Sequence, residues 1–173
     1  MESKAKIFGH AIHPMLIVFP LGLLGTAAIF DIIYLITLNR TWPAASFWMI
    51  VAGLIGGVVA ALFGFIDWLN IPSGTRARTI GLYHALVNDI ALILFAVGLY
   101  LRWSTPETPP TIAAVCSIVG VAFALVGGWF GGELVERLGV SVYADANLDA
   151  PNSLTHEKTH HADVRHHNLH PTR

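Results

Sequence analysis

Charge is what this sequence has least of. Charged residues make up 12% of the chain, against about 25% in an ordinary globular domain. Residues of the set AVILMFWYC reach 54%, and the mean hydropathy is +0.62. The deficit is uneven. Within residues 14–132 the charges are Asp31, Arg40, Asp67, Arg76, Arg78, Asp89, Arg102 and Glu107, and all the others lie in two short flanks. A domain in water could not cover itself with so few charges, so the chain reads as an integral membrane protein. An excess of basic residues is also missing: the formal net charge is −1, which argues against nucleic-acid binding. Cysteine is reduced to Cys116, inside an apolar run. That excludes a disulfide framework, a cysteine-ligated zinc site and an iron–sulfur cluster held by this chain alone. No Ser–His–Asp arrangement, phosphate loop or paired-carboxylate motif is discernible either.

What is present is apolar and long. Four runs reach the roughly 20 residues that a bilayer-crossing helix needs: 14–38, 47–69, 80–101 and 111–130. Asn39-Arg40-Thr41-Trp42-Pro43, then Pro72-Ser73-Gly74, then Pro106, Pro109 and Pro110 supply the turns between them. The first run follows basic residues, as a signal peptide would, but has no convincing small-residue cleavage pattern and reads as a retained span. Short loops make sequential helices antiparallel neighbours. The expected fold is all-α: an up-down-up-down four-helix membrane bundle over 1–142, with a disordered, histidine-rich tail over 143–173. That tail carries His156, His160, His161, His166, His167 and His170, as a solvated segment with incidental metal affinity.

Orientation follows from lysine and arginine. Four crossings put Lys4, Lys6, Arg76, Arg78 and Arg137 on one side and Arg40 and Arg102 on the other. The positive-inside rule then puts both termini in the cytoplasm. Trp42, Trp48, Trp68, Trp103 and Trp129 fall near span ends, where interfacial indoles belong. Small residues recur every fourth position: Gly53, Gly57 and Ala61, then Gly56, Ala60 and Gly64, and in the last span Gly120, Ala124, Gly128 and Gly132. Such rows serve close packing within the bundle, or seat a homodimer partner or another subunit.

Ionisable residues inside spans are costly and are functional candidates by default. His10 and His13 stand at the cytoplasmic mouth of the first span, Asp67 near the end of the second, His84 early in the third, and Glu133 after the fourth. All five share one shallow layer. Two imidazoles suit haem b, with His84 paired to His13 or His10 and with Arg76 and Arg78 meeting the propionates. Alternatively His13, His84, Asp67 and Glu133 form a nitrogen–oxygen set for a divalent metal ion. The bland alternative is that these groups cap helix ends and bind one another. Asp31 lies towards the outer face. Asp89 lies near the midplane, on a different helix face from His84, where hydrogen bonding within the bundle or to a partner helix is expected over a proton path.

The strings GHAIHPMLIVFPLGLL, GFIDWLNIPSGTRAR, GLYHALVN and GGWFGGELVERLGV together resemble the bacterial membrane-protein family catalogued as domain of unknown function 2231. The resemblance covers about residues 9–142 and implies a four-helix inner-membrane protein. Some relatives resemble redox modules joined to Rieske-type iron–sulfur domains, which implies electron transfer. After Val142 this chain has no cysteine, so any iron–sulfur or cytochrome partner would be a separate chain. The motifs carry over His10, His13, Asp67, His84 and Glu133 as family-like positions without an agreed role. The expectation is a small electron-transfer subunit rather than an enzyme. A divalent-metal-binding protein and a cofactor-free scaffold subunit are the alternatives.

Overall fold

A computed structural model describes residues 1–154. The six histidines of the tail lie outside the described residues, and so does most of that expected disordered segment.

Four helices are each long and apolar enough to cross a membrane, over Ile12–Thr37, Thr41–Leu69, Arg76–Arg102 and Thr111–Arg137. The first is divided into α1 (Ile12–Leu16) and α2 (Val18–Thr37). The division has a covalent cause. Pro20 has no N–H to give the Leu16 carbonyl, so the ladder is interrupted where α1 ends. α3 (Thr41–Leu69) starts six residues earlier than the apolar run suggested. Asn39 accepts from the Thr41 N–H through Oδ1 at 3.0 Å, and Pro43 in the first turn loses no helical bond. The supposed five-residue connection is therefore mostly helix. α4 (Arg76–Arg102) begins under a Thr75 cap, whose hydroxyl accepts from the Arg78 N–H at 3.3 Å. α5 (Thr111–Gly132) passes into a π-helical turn over Glu133–Arg137, closed by Leu138 N–H donating to the Glu133 carbonyl at 3.2 Å.

Each helix packs on the next, and α2 closes the ring against α5. Leu24, Ala27, Ile50 and Phe95 fill the centre. Glycine admits these bulky neighbours: a Cβ on Gly53 would come 2.6 Å from Leu24, on Gly57 2.6 Å from Leu92, and on Gly120 2.9 Å from Phe95. The rows in α3 therefore pack inside one bundle. The α5 row divides instead, since Gly120 packs inward on Phe95 while Gly128 and Gly132 face open space. Most remaining apolar side chains, among them Ile36, Ile55, Leu62, Ile93 and Leu125, are exposed on the bundle surface, as a lipid-facing exterior requires.

A short hairpin ahead of the first span has no signal in the hydropathy. β1 (Lys6–Ile7) pairs with β2 (His10–Ala11) across Phe8 and Gly9, both at positive φ, the backbone of a two-residue primed turn. Glycine meets that demand without strain at position 9, while Phe8 accepts the left-handed region. Residues 139–154 carry no helix or strand and lie back over this hairpin. The Tyr143 hydroxyl donates to the Gly9 carbonyl, and the Ser141 N–H donates to the Met1 carbonyl at 2.7 Å. Lys6 is held between Glu2 at 2.6 Å and the Tyr143 ring at 4.0 Å. Burial opposes its charge, but Glu2 and Tyr143 outweigh that and hold its pKa above the usual lysine value.

Candidate functional site

The histidine end of the bundle is built by one device used twice. His13, in α1, donates from Nδ1 to the Ala60 carbonyl of α3 at 2.8 Å. His84, in α4, donates from Nδ1 to the Gly127 carbonyl of α5 at 2.9 Å. Helix carbonyls are normally shielded by the side chain four residues on, because Cβ atoms tilt back towards the N-terminus. Here those positions are Gly64 and Gly131. A Cβ on Gly64 would come 2.9 Å from the His13 ring, and one on Gly131 would come 3.2 Å from His84. The glycines thus make room for the imidazoles themselves. The two ring centroids are 6.1 Å apart and nearly perpendicular.

Carbonyl oxygens only accept, so both rings must carry their proton on Nδ1. Asn88 Nδ2 lies 3.4 Å from His84 Nδ1, but its close bond is to the His84 carbonyl at 2.7 Å. In the neutral ring each Nε2 then holds a free lone pair, and neither Nε2 has a hydrogen-bond partner among the described residues. An imidazole tied through one N–H to a carbonyl, with the other nitrogen bare, is the state in which histidine ligates metals.

The other residues of that layer are occupied elsewhere. His10 stands exposed on β2, with Nε2 3.2 Å from Ser153 Oγ. The ring that stands beside His84 is that of His13. Asp67 is buried and accepts from Ser3 Oγ at 2.7 Å and from the Lys4 and Ala5 N–H groups at 3.0 and 3.4 Å. It fastens the N-terminal segment to α3. Glu133 pairs with Arg76 at 2.6 Å. Arg78 donates from Nη1 to the carbonyls of Trp68, Leu69 and Ile71, closing the C-terminus of α3, and its guanidinium stacks 4.2 Å over the Trp68 ring. Among the described residues no group of three or more His, Cys, Asp and Glu is arranged to hold a metal ion. Asp67 and Glu133 are thus taken up by Ser3 and Arg76, while the His13 and His84 rings stand together.

The opposite end holds a cluster that the sequence did not reveal. Arg102 is fully buried and donates from Nη1 and Nη2 to both oxygens of Asp31, at 2.8 and 2.7 Å. Its remaining donors meet Ser46 Oγ at 3.0 Å, Ser117 Oγ at 3.2 Å and the carbonyls of Ala113 and Gly98 at 3.0 and 3.1 Å. All five guanidinium hydrogens have acceptors. Each helix contributes one member: Asp31 from α2, Ser46 from α3, Arg102 from α4 and Ser117 from α5, all 0% exposed. A depth count would have found three of them, since Asp31, Ser46 and Ser117 each lie five or six residues inside the helix ends at this side of the bundle.

Asp89 belongs to neither end. It is exposed and has no partner among the described residues, so the expected bond within the bundle is not made.

No curated protein and no solved structure matches the chain. The pattern of one family, described as a predicted membrane protein (DUF2231), matches residues 9–144. That stretch takes in all four spans and both polar ends, and the chain belongs to the membrane-protein family catalogued as domain of unknown function 2231.

Proposed function

We propose that this is a small integral membrane subunit carrying a metal centre on His13 and His84, with each imidazole ligating through Nε2. One observation carries the reading: two imidazoles from different helices, 6.1 Å apart, each have Nδ1 committed to a helix carbonyl. Imidazole pairs suit copper, iron and zinc. A redox-active ion would make the subunit an electron carrier between separate partner chains. The remaining coordination positions would fall to exchangeable ligands, because Asp67 and Glu133 are engaged.

Haem b is the second reading, favoured by the same pair. Its supporting shell fits less well. Arg76 is held by Glu133 and Arg78 by three carbonyls, so propionates would have to displace existing bonds. Gly64 and Gly131 are filled by imidazole rather than left open for a macrocycle. The basic residues at this end support an orientation with both termini in the cytoplasm at a bacterial inner membrane.

Elemental analysis and a reduced-minus-oxidised spectrum of protein isolated from its native membrane test the proposal. The expected result is a bound transition metal that is lost in His13→Ala and in His84→Ala but kept in His10→Ala. A Soret band with the same dependence would replace the bare ion by haem. Colourless, metal-free protein that co-purifies with other chains would leave the scaffold subunit as the function.

A further inference from the structure

Every other charged side chain well inside the spans is buried and partnered: Asp31 by Arg102, and Asp67 by Ser3 and two backbone N–H groups. Asp89 is the exception. It is the fourteenth of the twenty-seven residues of Arg76–Arg102, about 20 Å from either helix end at ~1.5 Å per residue. That is the centre of the bilayer, and the side chain is on the outside of the bundle. Lipid offers a carboxyl group no hydrogen bond there, so a protein must.

The surface around Asp89 says which kind of protein. Leu82, Leu86, Asp89, Ile93, Ala96 and Tyr100 are all exposed and follow one another at spacings of four and three along α4. This is the 3.5-residue repeat of a left-handed helix pair, with one polar residue at its centre. Such a residue fixes register in paired helices because only one alignment satisfies it. A second copy in the same membrane orientation brings its own Asp89 to the same depth by symmetry. It also offers the same seam, which is what a two-fold, isologous contact needs.

We propose that two copies of this protein dimerise through α4, with the Asp89 carboxyl groups hydrogen-bonded across the two-fold axis. A hydrogen bond between two carboxyl groups needs one of them to carry the proton that it donates to the other. Ala85, one turn before Asp89, and Ala96, two turns after it, are both exposed and small enough to let the backbones approach, so that the short aspartate side chains can reach. The inference does not depend on the histidine site.

Cysteine cross-linking in native membranes tests it, in a Cys116→Ala background. Leu86→Cys and Ile93→Cys should each yield a disulfide-linked dimer under mild oxidation, while Leu125→Cys on α5, which is also exposed, should not. Adding Asp89→Leu should lower the dimerisation constant roughly tenfold, the weight of an interhelical hydrogen bond in lipid, whereas Asp89→Asn should retain the dimer. The Leu variant replaces a polar group by an apolar one at a lipid-facing position, so loss of folding is not expected to intervene. Equal cross-linking at Leu125, no cross-linking at the α4 positions, or a dimer indifferent to Asp89→Leu would overturn the proposal. Retention of a foreign membrane chain by Asp89, in place of the dimer, would overturn it as well.

Discussion

The two ends of the bundle spend their polar residues in opposite ways. At the end away from the histidines, Arg102, Asp31, Ser46 and Ser117 form a closed network in which every donor has an acceptor and every helix has a share. At the histidine end each imidazole satisfies one nitrogen and leaves the other bare. Burying an ion pair rarely adds much net stability, but it is costly to break and ties its elements to one arrangement. The arginine network is thus a clamp that fixes the register of four helices. The histidine end inherits that register and keeps a reactive pair open. Both ends contain ionisable groups inside spans, so residue type alone does not tell them apart. Unspent hydrogen-bonding capacity does.

The largest effect should come from breaking the clamp. Arg102→Leu leaves Asp31 buried and unpaired, and should cost about 3–5 kcal/mol. Denaturant unfolding in detergent checks this, and the double variant Asp31→Leu with Arg102→Leu should recover much of the loss. A double variant as unstable as the single one would mean that the network supplies stability rather than register.

A smaller effect is expected where glycine admits a polar side chain. A Cβ at Gly127 would meet Asn88 at 2.5 Å, so Gly127→Ala should cost about 1–3 kcal/mol through overpacking. Gly128→Ala, one residue along and facing open space, should be neutral in the same unfolding assay. Equal effects at the two positions would remove the distinction between inward and outward glycines.

Asp67→Asn sharpens the histidine end. Its carboxylate receives Ser3 and two backbone N–H groups, so the substitution should loosen the N-terminal segment by about 1–3 kcal/mol. Hydrogen exchange should rise over residues 3–11 while the four spans keep their protection. Metal content should be unchanged, because Asp67 is a fastening and not a ligand in this account.

The four spans were legible in the sequence because apolar length and prolines are local signals. Their ends were less so: Thr41–Leu69 begins in a stretch whose Asn, Arg and Pro read as a turn. The hairpin at Lys6–Ile7 and His10–Ala11 is too short to show periodicity, and it decided where His10 goes. The shared depth of His13 and His84 was readable, and their meeting follows from it. What sequence could not supply was occupancy. Asp67 and Glu133 stood at the same depth as the histidines, and only the folded chain shows Ser3 and Arg76 already bound to them. Arg102 was counted among the charges flanking the spans because it falls one residue past the apolar run 80–101. Its partner Asp31 is distant in sequence, and no local pattern joins the two.

The central claim is that His13 and His84 both carry their proton on Nδ1 and hold Nε2 free for a ligand. Nitrogen-15 NMR of imidazole-labelled protein in lipid bilayers tests it most directly, because the two tautomers give distinct signals. The account predicts neutral rings protonated at Nδ1 for both residues, with both Nε2 signals moving together when the metal is added. Either ring protonated at Nε2 in the metal-free protein, or Nε2 signals that ignore the metal, would contradict it.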